Sequence, residues 1–302
     1  MTDWLAAALR FALYLDLMLL AGLAARCVYA ARQASLLPSR RVLSALGGLA
    51  VILSVTGFLY SVAGMAGVAV TDLDQDTLRF VLAETTPGWS FLVRLAALTA
   101  ALVAIAFVTR RRTAIWVVAA ASGTALATLA WVGHAAVSEG PAGTIHLLSD
   151  VAHLLAAALW VGALAVLLAS LIQPPAQSRP LSDMHDALHA FSTVGSIVVA
   201  LLLLTGTVNL WLTVGPSGLP LLPASPYGQL LILKLLLFLA MLGLAALNRV
   251  RLTPRLAAAL AKGDTRTATG ALRASIVAEA AAAVVIVALV AWLGMLAPPS
   301  AS

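Results

Sequence analysis

Long runs of hydrocarbon, broken only by short polar or Pro/Gly segments, leave this chain few folds to choose from. Apolar runs of helical length cover roughly residues 4–31, 42–70, 89–110, 113–137, 144–172, 188–214, 229–248 and 274–296. A membrane helix needs about 20 apolar residues, and a backbone in hydrocarbon must satisfy its own hydrogen bonds. The expected fold is therefore all-α: a polytopic transmembrane helix bundle of about eight spans. Only 10% of the residues are charged and the mean hydropathy is +1.02, whereas a soluble domain carries roughly 25% charge. Eight spans use nearly all of the 302 residues, so no soluble domain is expected. No cleavable leader is evident either, since the first apolar run is long and only Arg10 resembles a leader's charge.

The net charge of +6 is a topology signal. The segments after the first, third, fifth and seventh spans, with their helix ends, hold 14 of the 18 Lys and Arg. The alternate segments carry acid, as in Asp72, Asp74, Asp76 and Glu84, or no charge. By the positive-inside rule, both termini are expected on the periplasmic side. This distribution also argues against a nucleic-acid partner. Cys27 is the single cysteine; it excludes an internal disulfide and any CxxC motif.

Chemistry concentrates between Trp131 and Leu164. This stretch holds His134, His146 and His153, three of the five histidines, together with Asp150. It reads as the end of one span, a Gly-Pro turn and the start of the next. His146, Asp150 and His153 are spaced i, i+4, i+7, so they share one helix face, with His153 roughly 10 Å deeper than His146. His134, on the neighbouring antiparallel span, is expected to face the same site. Imidazoles and a carboxylate in hydrocarbon are costly unless they bind something. Together they can replace the water of a transition-metal ion, imidazole suiting copper, zinc, iron and nickel. Met65, near the outer end of the second span, would add a soft ligand. Asp150 can also act by orienting an imidazole. A packed polar network or proton relay accounts for the same residues without metal.

A second group of candidates is less specific. Lys234 either neutralises Asp150 or snorkels outward. Asp16 lies in the middle of the first span, as a functional acid or as the buried partner of Arg94. Met18, with Met65 and Met241, forms a soft relay or fills core. His185 and His189 are spaced i, i+4 at the inner surface beside Asp183, either as a metal exit site or as a solvated helix start capped by Asp183. Glu279 pairs with Arg273 or lines an inner vestibule. Asn209 and Asn248 are expected to stitch helices together.

The chain also resembles the CopD family of copper-resistance membrane proteins. The resemblance rests on WVGHAA and HLLSDVAHLLAAALWVGAL, then LLTGTVNLW, YGQLLILK, AALNRVRLTPRL and ALRASIVAEA, in that order along the chain. It implies a single transmembrane domain over 1–302 with its best-matching core at about 131–296. It implies an inner-membrane bundle that handles copper, Cu+ or Cu2+, between periplasm and cytosol, with copper contacts at His134, His146 and His153. Some relatives carry a fused periplasmic copper-binding domain; none is seen here, so a separate periplasmic copper carrier is an expected partner, beside membrane lipid. An oligomer is compatible with the sequence. No catalytic residues are expected, and no ATP-binding signature is present.

Two functions compete. One is a copper-binding protein that moves or hands copper inward. The other is a membrane cytochrome in which His134 and His153 ligate haem b.

Overall fold

A computed structural model describes residues 4–29, 38–107, 111–133, 140–172, 181–262 and 266–299. Every regular element among these residues is helical: α1 (Trp4–Tyr29), α2 (Arg40–Ala66), α3 (Gln75–Glu84), α4 (Thr86–Phe107), α5 (Arg111–Ala127), α6 (Gly140–Ile172), α7 (Leu181–Thr213), the single turn α8 (Gly215–Gly218), α9 (Pro226–Leu247), α10 (Thr253–Lys262) and α11 (Arg266–Leu293). Eight of the helices are long and apolar enough to cross a membrane. The chain is a multi-pass helical membrane protein. One end of the bundle carries the basic loops and is called here the basic end. The other, with Asp72, Asp74 and Asp76, is the acidic end.

Helix α1 is the hub. It packs against α2, α5, α6 and α11, and Leu17, Leu20 and Leu98 of α4 are fully buried around it. The closest approach is with α6. A Cβ on Gly22 would stand 2.0 Å from the Ala158 carbonyl oxygen, and one on Gly162 would stand 2.4 Å from the Gly22 carbonyl carbon. Without hydrophobic drive between helices in lipid, such small-residue contacts let backbones gain van der Waals packing. At the acidic end Trp4 and Trp292 meet edge to face at 4.7 Å, tying α1 to α11.

Several helices are longer than the apolar runs suggest. The acidic loop contains α3, capped by Asp74, whose carboxylate accepts from the Thr77 backbone N–H and hydroxyl, both at 2.7 Å. Those bonds hold the Asp74 carboxyl below the usual carboxylate range. The basic stretch after α9 continues through a π-helical turn, Asn248–Leu252, into α10. Leu252 and Leu256 are buried there against Leu272 and Ile276, while Arg251 and Arg255 stay exposed. Part of the expected polar linker is also helical, because α7 begins at Leu181. Asp183 therefore lies inside the first turn of α7 and is not its N-cap. At the Gly-Pro turn, α6 already starts at Gly140, whose φ of +67° suits glycine.

Candidate functional site

The expected face of α6 is real, and α7 answers it residue for residue. His146 Nε2 lies 3.3 Å from the Thr213 hydroxyl. Asn209 Nδ2 donates to Asp150 Oδ1 at 3.3 Å. His153 Nδ1 lies 2.9 Å from Thr205 Oγ1, and Ser149 donates to the Thr205 carbonyl at 3.2 Å. The helices run antiparallel, so rising numbers on α6 meet falling numbers on α7. Thr205, Asn209 and Thr213, spaced i, i+4, i+8, form one stripe of α7 and make three rungs with α6.

The lowest rung fixes a tautomer. Thr205 donates its hydroxyl proton to the Leu201 carbonyl at 2.5 Å. Its oxygen is therefore the acceptor for His153, which must donate from Nδ1. A neutral ring donating from Nδ1 carries its lone pair on Nε2. Hydrogen bonding of one nitrogen while the other stays basic is the usual arrangement of a metal-binding histidine.

The rungs also set the spacing. Thr205 and Thr213 are separated by about 12 Å along α7, so the imidazoles of His146 and His153 do not meet at one point. They form two levels with Asp150 between them. Asp150 further interacts electrostatically with Lys234 of α9 and Tyr14 of α1. His153 also feels Lys234. Tyr14 hydrogen-bonds Arg10 and feels Arg94. Lys234 is half-buried and within electrostatic reach of Asp150.

The remaining candidates are distributed as follows. His134 lies outside the described residues, but its neighbour Gly133 lies against the site: a Cβ there would be 3.8 Å from Asp150 Oδ2. Met65 is 60% exposed, and α2 packs chiefly on α1 and α4, so the structure does not bring its thioether to the α6–α7 seam. Met18 is buried in the main core beside α1 neighbours, and Met241 in a separate cluster with Trp160 and Val198. These two do not share a core. His185 and His189 lie on α7, and their side chains fall outside the described residues. Among the described residues no three His, Cys, Asp or Glu side chains gather as a metal cluster.

Two ion pairs that the sequence offered as alternatives do not form. Arg94 donates to the Thr128 hydroxyl at 2.8 Å, and Asp16, 4% exposed, has no hydrogen-bond partner on either oxygen. Opposite charge alone did not decide the pairing: Arg94 meets the hydroxyl of Thr128, just past the end of α5. Glu279 is likewise not paired with Arg273, which is exposed. It is buried and accepts a short hydrogen bond from Asn248. Asn209 and Asn248 thus stitch helices as expected. The residues that sequence reasoning missed are Thr205, Thr213, Ser149 and Tyr14. The i, i+4, i+8 polar stripe of α7 was the available signal for two of them.

Similarity to known proteins settles the family. The chain is 38% identical over 308 positions to Copper resistance protein D of Pseudomonas syringae pv. tomato, spanning 99% of this chain and 98% of that protein. The chain belongs to the copper resistance protein D family. It is also 31% identical over 261 positions to the inner membrane protein YebZ of Escherichia coli (strain K12), spanning 82% of this chain and 84% of that one. Residues 1–144 match the family model "Copper resistance protein D-like, N-terminal domain", and 185–293 match "Copper resistance protein D". Most of α6, including His146, Asp150 and His153, lies between the two matched stretches. No solved structure matches the chain. With eight candidate spans and these relatives, it is a copper-related, multi-pass inner-membrane protein.

Proposed function

We propose that this protein takes copper at the acidic end, on the periplasmic side, and moves or hands it toward the cytosol. The observation that carries the reading is the His153–Thr205 rung, which leaves an imidazole lone pair at Nε2 inside the membrane. Asp150 supplies a carboxylate one turn nearer the acidic end, and His146 a second imidazole one turn beyond that. His134 joins them from the segment that follows Gly133. The whole chain acts as one unit, since α1 and α2 of the first matched stretch share a bundle with α9 and α11 of the second. Basic helix ends facing the cytosol set the orientation.

In this reading Lys234 holds the place of the cargo. When the site is empty, its ammonium balances Asp150; a copper ion arriving at Asp150 displaces that balance. Imidazole and carboxylate are the ligands at hand, and with Met65 turned away they favour Cu2+ over the thioether-seeking Cu+. The two-level spacing suits stepwise descent better than a single resident ion. The protein is a carrier without catalytic residues, fed by a periplasmic copper donor.

The test is metal analysis of the purified protein loaded with copper, beside the variants His153→Ala and His146→Ala. Loss of bound copper in His153→Ala is expected, with copper uptake into sealed vesicles lost in parallel. Full copper stoichiometry in His153→Ala overturns the reading. The haem alternative requires His134 and His153 as axial ligands, and the Nδ1–Thr205 contact leaves His153 Nε2 free for that role too. A Soret band in the purified protein decides for haem.

A further inference from the structure

The half of the membrane nearer the basic end has a polar centre of its own, between α9 and α11. Glu279 is 3% exposed, and its described polar partner is Asn248, which donates through Nδ2. Two further buried polar atoms lie alongside without a hydrogen-bond partner: Asn248 Oδ1 and Ser275 Oγ. Ser275 precedes Glu279 by four residues, so both lie on one face of α11. Asn248 opens the π-helical turn Asn248–Leu252. Such turns interrupt the i→i+4 ladder and recur at functional sites.

Among the described side chains, no cation acts on Glu279. The elements packed on α11 are α1, α6, α9, α10 and the π turn. From α1 the titratable groups are Arg10 and Tyr14 toward the acidic end, beside Asp150 and Arg94, then Asp16, and near the basic end Arg26, Cys27 and Tyr29, with Arg26 beside Tyr29. The stretch of α6 beyond Asp150 has no Asp, Glu, Lys or Arg. Lys234 of α9 lies at the other end, with Asp150. Arg249 of the π turn donates to Ser196 at 2.6 Å, while Arg251, Arg255 and Arg273 are exposed. What acts on Glu279, among the described side chains, is its burial and the Asn248 amide, with no cation among them. A buried carboxylate with no cation is strongly disfavoured, so the carboxyl is at rest when it holds a proton.

We propose that Glu279 is a proton-binding site, exchanging one proton with the solution at the basic end while Asn248 serves both of its states. As a carboxylate it accepts from Asn248 Nδ2. On taking a proton from water it becomes a donor, and a half-turn of the amide presents Oδ1, now without a donor, as its acceptor. A side-chain amide carries a donor and an acceptor on separate atoms, so it can answer either state of the carboxyl. Ser275 Oγ lies one turn nearer the basic end and relays the proton along α11. Where the copper reading above also holds, this proton is the counter-charge of the cargo; the site itself does not depend on that reading.

The first experiment uses no metal. Infrared spectra of the full-length protein in lipid, recorded across pH, are expected to show a protonated carboxyl band that vanishes as pH rises. A component of the band is lost in Glu279→Gln and that component persists in Asp16→Asn, which loses only the contribution of Asp16. In Asn248→Ser, which keeps the carboxyl, its frequency moves. A Glu279→Gln spectrum equal to wild type at every pH overturns the proposal. If Glu279→Gln fails to purify as a single species, the Asn248→Ser spectrum decides: an unmoved band overturns it. The second experiment adds Cu2+ outside vesicles that enclose a pH dye. Copper entry with a pH change in wild type, and no pH change in Glu279→Gln, supports coupling. Equal pH signals from both overturn it, and loss of copper binding alone points to failure at the α6–α7 seam.

Discussion

Helix α6 has two seams built on opposite principles. Toward α1 it offers Ala158 and Gly162, and the backbones touch with no room for a Cβ at Gly22. Toward α7 it offers Ser149, Asp150, His146 and His153, and each meets a polar partner. The first seam gains close packing and carries no chemistry. The second gives up close packing for groups that hold protons and lone pairs. In lipid, where apolar side chains gain little from meeting one another, closeness and polar pairing are the two ways to hold helices together. One helix uses both, so the dry seam can fix α6 while the polar seam stays free for the copper chemistry proposed above.

The comparison breaks first at the dry seam. Gly22→Leu places a side chain where a Cβ alone would be 2.0 Å from the Ala158 carbonyl oxygen. Backbone must shift, and the variant is expected to lose its monodisperse peak in detergent; a normal elution profile would show that α1 and α6 can separate. The next effect is at the polar seam. Thr205→Val keeps shape and removes the acceptor for His153 Nδ1. Copper affinity is expected to drop about 10- to 100-fold, as for loss of a partner that orients a ligand, with the elution profile unchanged; titration of copper into the variant checks this. A smaller effect is expected for Asn209→Leu. Interhelical hydrogen bonds in membranes average about 0.6 kcal/mol, so the midpoint of denaturant unfolding should move slightly, while copper binding at His153 persists.

The smallest effect lies outside both seams and serves as the control. The bonds from Thr77 hold Asp74 ionised below its ordinary range. A folded-state value below the unfolded one gives stability that is present above the unfolded value and lost as pH falls through the folded one. Amide exchange in α3 should therefore quicken only at acidic pH, and the dependence should vanish in Asp74→Ala. Exchange in α6 should be indifferent to the change.

The spans were legible because continuous hydrocarbon of membrane length has no other stable use. Helices α3 and α10 were not, because each is short and amphipathic. Leu252 and Leu256 are spaced like a helix face, but among three arginines within seven residues they read as a basic loop. The α6 half of the site was legible from the spacing of His146, Asp150 and His153. Its α7 half is a pairing of residues 52 to 67 positions apart, which local pattern does not reveal, although Thr205, Asn209 and Thr213 carry their own period. The Asp16–Arg94 pairing failed for a related reason. Charge complementarity names suitable partners, while the rotation of each helix chooses among them, and α4 turns Arg94 to Thr128.

The even tooth spacing on α7 has a mechanical meaning. Sliding that helix by a single turn, about 5.4 Å, would seat Asn209 opposite His146 and Thr205 opposite Asp150, leaving His153 as the lone tooth without its hydroxyl. By spacing alone the teeth would mesh again after such a slide, and that register would differ from the observed one in releasing the deepest imidazole.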